Sequence, residues 1–140
     1  MIATLVFPLL LQSAAAEPPV PGWNCEDPRY QQEMNWCAAR DFEAADERLN
    51  AQWKETAAVM KVRDTQFAAN GEAEYDTREG YFESLLEAQR GWLRYRDAHC
   101  RTDGYLARGG SMEPLLNSSC KANLTRMRTD ELKALIETEG

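Results

Sequence analysis

The chain predicts an all-α fold: a long antiparallel helical hairpin with a third helix packed on it, stapled by disulfides. Three observations lead there. Between Pro28 and Gly71 there is no proline or glycine, and Tyr30, Met34, Cys37, Ala45, Leu49, Trp53, Met60 and Phe67 keep helical spacing. A second stretch, through Phe82, Leu85, Leu86, Trp92 and Leu93, repeats that periodicity after a break at Asn70-Gly71. No strand-like alternation or hairpin turn signal competes with either.

Each element follows in order. Residues 1–16 read as a secretory leader, with an apolar run from Ile2 to Leu11 and small residues at Ala14-Ala15-Ala16 for cleavage. That run is shorter than the roughly 20 residues of a membrane span. Residues 17–27, with Pro18-Pro19-Val20-Pro21-Gly22, form an extended entry segment. A single domain is expected over 28–138. Its first helix opens with Asp27 as N-cap and Pro28 in the first helical position, and stops at Asn70-Gly71. The second helix is expected from about residue 72 to about 101, weakened locally by Gly80 and Gly91 and ending near Gly104. A glycine-bounded loop follows at 105–110. Ser111 then caps a third helix through Pro114, Leu116, Cys120, Leu124, Met127, Leu132 and Leu135.

The second helix is not simply amphipathic. Gln89, Trp92, Leu93, Arg96 and Cys100 share one face, so a guanidinium and an amide sit among packing residues. Polar groups on such a face need partners. A hairpin turning at residue 71 brings together positions equidistant from it. Asp46 then faces Arg96, Leu49 faces Leu93, Trp53 faces Gln89, and Met60 faces Phe82. Asp46 and Arg96 are the candidate ion pair that fixes the hairpin register.

Cys25, Cys37, Cys100 and Cys120 form an even set, which in an exported chain reads as two disulfides. Four cysteines allow three pairings. The local one, Cys25–Cys37 with Cys100–Cys120, is expected, and a Cys37–Cys100 bridge across the hairpin is its rival. No close pair of cysteines has zinc-finger spacing, so no metal site is expected. Cys25 follows Gly22-Trp23-Asn24, unlike a lipoprotein signal, which points to a soluble periplasmic or secreted product without stable membrane insertion.

The net charge is −7, from 16 Lys and Arg against 23 Asp and Glu. This disfavours nucleic acid, whose binders present basic faces, and suits a basic protein partner. His99 is the only histidine and adjoins Cys100, leaving no nucleophile–base set. There is no phosphate loop, metal motif or cofactor fingerprint. The sequence therefore reads as a binding protein, with no enzyme activity and no cofactor.

The residues also resemble a family. Gln32-Glu33-Met34-Asn35-Trp36-Cys37-Ala38, Ala45-Asp46-Glu47-Arg48-Leu49-Asn50, and Ala88-Gln89-Arg90-Gly91-Trp92-Leu93 through Arg96-Asp97-Ala98-His99-Cys100 look like the LprI-type lysozyme-inhibitor domain. Gly109-Gly110-Ser111, Cys120, Leu124-Thr125 and Arg128 fit its later part, and the likeness spans about 25–135. Trp53 departs from the tyrosine common at that place. The resemblance implies bacterial export, a disulfide-held helical domain and inhibition of a basic lysozyme-type peptidoglycan hydrolase. An envelope interaction module without inhibitory activity is the alternative. The candidate partner-binding loop is Tyr105, Arg108, Gly109, Gly110 and Ser111, tethered by Cys100 and Cys120.

Overall fold

Three helices account for most of the molecule in this computed structural model, which describes residues 22–137. They are α1 (Gln31–Ala69), α2 (Tyr81–Gly104) and α3 (Glu113–Glu137), with 3₁₀ turns at Glu72–Glu74 and Tyr105–Ala107. The expected leader and most of the entry segment lie outside the described residues. With 39 residues, α1 spans about 58 Å and serves as the rail for the other two.

Cross-helix bonds set the directions. Asp46 on α1 meets Arg96 on α2, while Asp64 meets Tyr81 and Phe82, so α1 and α2 are antiparallel. Asn35, Asp41, Thr56 and Arg63 meet Ser111, Arg126, Leu132 and Leu135 in ascending order, so α3 runs parallel to α1. The buried positions of α1 include Ala38, Ala45, Leu49, Thr56 and Met60, and those of α2 include Leu85, Gln89, Arg96 and Cys100. Alternating steps of seven and four residues average about 3.67 per turn, slightly above the natural helical period, a pattern that favours a gentle right-handed winding.

The apolar core gathers toward the hairpin turn. Leu49, Ala57, Met60, Leu85 and Leu132 form it, with Trp53, Phe82, Trp92 and Ile136 packed around. Inside it, the buried Thr56 hydroxyl donates to the Leu132 carbonyl at 3.0 Å, which spares the cost of an unpaired polar group.

Four local expectations need correction. Helix α1 starts at Gln31 after an extended Tyr30 (φ −117°, ψ 148°), so neither Asp27 nor Pro28 begins it. Asp27 instead pairs with Arg29, and the Glu33 carboxylate reaches back from the first turn to accept the Arg29 and Asn24 N–H groups, both at 2.7 Å. Helix α2 starts at Tyr81 rather than near 72. Asp76 folds onto the N–H and guanidinium of Arg78, and the Asp64 carboxylate takes the Tyr81 and Phe82 N–H groups at 2.6 and 3.0 Å. Gly80 leaves room for that approach: a Cβ there would lie 2.5 Å from Asp64 Oδ1 and would push the carboxylate from its place. Ser111 precedes α3 without capping it; its carbonyl accepts from Asn35 Nδ2. Leu93 is 36% exposed rather than buried against Leu49, because Gln89, Arg96 and Cys100 hold the inward face of α2.

Candidate functional site

The end of the bundle opposite the turn carries both covalent staples. Cys25–Cys37 binds the entry segment to α1, and Cys100–Cys120 joins the end of α2 to α3, with Cα separations of 5.5 and 5.4 Å. Cys100 is fully buried, so the second bridge occupies the place an apolar core residue would take.

Beneath that bridge lies a polar cluster. Arg96 Nη1 donates to Asp46 Oδ1 at 3.0 Å and to Thr125 Oγ1 at 3.3 Å, and Nε donates to Asp97 Oδ1 at 3.0 Å. The guanidinium lies over both the Phe42 and Trp92 rings, 5.1 Å from each centroid, and the Lys121 ammonium lies 5.6 Å from the Phe42 centroid. The Arg96 side chain is 8% exposed while Asp46 is 37% exposed. The pair is therefore half-solvated on its acidic side. Arginine is suited to this position because its planar cation both stacks on rings and forks to two acceptors.

Above the staple, the connection from α2 to α3 is held in one shape. The Gly110 N–H donates to the Ala107 carbonyl at 2.8 Å, and the Gly109 N–H donates to Glu113 Oε2 at 2.7 Å. Gly109 has φ +77°, a conformation that a side chain would strain. Asn35 fastens Ser111 to α1 at 2.9 Å. The outward side chains of this fixed loop are Tyr105, Leu106, Arg108 and Met112. The Arg108 guanidinium lies 4.4 Å from the centre of the Tyr105 ring and makes no ion pair among the described residues.

Several contributors at this end were not singled out from sequence. Glu33 sits five residues before buried Ala38, about 140° around the helix, yet is itself buried because the entry segment covers it. Backbone N–H bonds from Arg29 and Asn24 hold its carboxyl below the usual carboxylate range. Trp23 packs on Trp36 with ring centres 6.2 Å apart, completing the strap. The Gln89 Oε1 accepts from Arg128 Nε of α3 at 3.0 Å, a partner outside the hairpin. Hairpin arithmetic had no means of placing a third helix. Leu106 had no periodic signal, since it lies in a turn. His99 is exposed and stacks on Tyr95 at 5.2 Å.

Among the described residues, no group of three or more His, Cys, Asp or Glu is arranged to hold a metal ion, and no helix is long and apolar enough to cross a membrane. These features define a disulfide-braced helical protein with an exposed, hydrogen-bonded loop between α2 and α3. The chain belongs to the lysozyme inhibitor LprI family, whose sequence model matches residues 25–132. It is also 42% identical over 130 residues to an uncharacterized protein of Rhizobium meliloti (strain 1021), a match covering 93% of this chain and 91% of that protein. No solved structure matches it.

Proposed function

We propose that this protein is an exported inhibitor of lysozyme-type peptidoglycan hydrolases and that it engages them through residues 105–111. The family match over 25–132 is the observation that carries this reading. Three physical features support it. The acidic chain, at −7, favours encounter with a basic enzyme. All four cysteines are in disulfides, which suits an oxidising compartment, and the apolar run from Ile2 to Leu11 suits export to one. A glycosidase cleft carries paired carboxylates, for which an exposed guanidinium without an acidic partner is a fitting ligand.

The test is inhibition of a basic c-type lysozyme by purified protein lacking residues 1–16. Arg108→Glu should weaken inhibition at least about tenfold while leaving the thermal midpoint unchanged, since Arg108 is exposed and touches only Tyr105 through its side chain. Lys54→Glu makes the same charge change on an exposed position of α1 and should alter only salt-dependent association. Equal losses from the two would assign the effect to overall charge. Absence of inhibition by the parent at micromolar concentration would leave an envelope interaction module.

A further inference from the structure

Leu106 is 82% exposed, more than any other leucine, isoleucine, valine or methionine among the exposed apolar residues of the described chain. Its backbone belongs to a 3₁₀ turn closed by the Arg108 N–H to Tyr105 carbonyl bond at 3.2 Å. The turn is bracketed by the Cys100–Cys120 bridge and by the Gly109–Glu113 and Asn35–Ser111 bonds. A leucine held out in water by a fixed backbone gains nothing from folding, because its burial energy is forgone. It does gain on binding, and the ordering cost has already been met by the loop's own bonds. On either side stand Tyr105, 42% exposed, and the Arg108 cation lying over it; Met112, 44% exposed, follows four residues on. This is an apolar knob with an aromatic–cationic collar.

From this arrangement we infer that Leu106 is the anchor of the interaction surface, entering an apolar sugar-binding subsite of the hydrolase while Arg108 meets the cleft carboxylates. The inference rests on the lysozyme-inhibitor reading and specifies its contact. The occupant follows from charge and shape together. A second copy of this chain would bring another acidic surface at −7 toward the knob, whereas a basic enzyme with carboxylates confined to its cleft complements both Arg108 and the overall field. Apolar sugar faces and a leucine side chain compete for the same kind of surface, so binding by the knob excludes the glycan.

The test measures Kd for a basic c-type lysozyme by calorimetry, with and without tri-N-acetylglucosamine. For the parent, the trisaccharide should weaken binding in proportion to its own occupancy. Leu106→Ala should raise Kd about 30-fold or more, as anchors do, and Leu106→Met should stay within about threefold. Thermal midpoints should match the parent for both variants, since the side chain is solvated. If the parent binds and Arg108→Glu weakens it, but Leu106→Ala leaves Kd unchanged or the trisaccharide does not compete, the anchor is wrong and the inhibitor reading stands. No binding by the parent removes both. A concentration-dependent dimer lost in Leu106→Asp would give the knob to a second copy and overturn the inference.

Discussion

The two ends of this bundle are held by different forces. At the turn end, Met60, Phe82, Leu85, Leu132 and Ile136 exclude water, and the eleven-residue connection between α1 and α2 is tied back by Asp64. At the opposite end, the interior positions of α2 are Arg96 and Cys100 rather than leucines, and two disulfides brace the bundle, one of them buried through Cys100. A chain of this size buries a limited core, and covalent closure compensates where that core gives out. The fixed loop sits on the stapled end. Its rigidity therefore depends on bridges and polar contacts, whereas the turn end is held by apolar packing.

Substitutions should separate the two. Leu132→Ala, at 0% exposure in the apolar half, should cost about 3–4 kcal/mol in denaturant unfolding, whether or not the disulfides are reduced. Removing Cys100–Cys120 by paired alanine substitution should cost about 3 kcal/mol, the loop-closure value for a bridge of 20 residues' separation. Hydrogen exchange should then rise first at 100–121 while residues 49–60 remain protected. Equal loosening of both halves would erase the distinction between them.

Smaller effects sharpen the comparison. Arg96→Ala and Asp46→Ala should each destabilise. The arginine change should cost about 2–3 kcal/mol because it removes a buried side chain with its three acceptors and two ring contacts. The aspartate change leaves the buried cation short of a partner, and the double variant should cost less than the sum. Additive effects below about 0.5 kcal/mol would class both as ordinary surface charges. Asp64→Ala removes the acceptor for the first two N–H groups of α2 and should cost about 1 kcal/mol.

Acid acts on both ends through carboxyls lowered in the folded state. Glu33 is lowered by backbone donors, and Asp76 is lowered to about 2 by its bonds with Arg78. A lowered folded value means the unfolded chain takes up protons first. The stabilisation is thus complete above the ordinary carboxyl range and is lost as pH falls through the folded value. For Asp76 that window runs from the ordinary 3.8 down to about 2. Glu33→Gln should flatten the acid limb of a stability–pH curve at the strap, and Asp76→Asn should do so at the turn. An unchanged acid limb in both would contradict these assignments.

Periodicity made the helices legible, and their polar interruptions made the register legible. Asp46 and Arg96 stand equally far from Gly71, and their charged atoms lie 3.0 Å apart. What stayed hidden came from outside the local window. The start of α2 is set by Asp64, seventeen residues before Tyr81, and Gly80, which reads from sequence only as a weak point inside the helix, is its N-cap. Glu33 looks solvated on a helical wheel and is covered only because a disulfide folds the entry segment over it. The Gln89–Arg128 contact needs the placement of α3, which hairpin geometry does not supply. The loop was visible through its glycines, but its protruding leucine was not.

The division of labour between the ends is tested most directly by amide hydrogen exchange of the protein with and without a saturating basic c-type lysozyme. The account predicts added protection confined to residues 104–113 and their immediate supports around Asn35, with the turn end unchanged. Protection centred on 60–88, or none at all under conditions of inhibition, would contradict it.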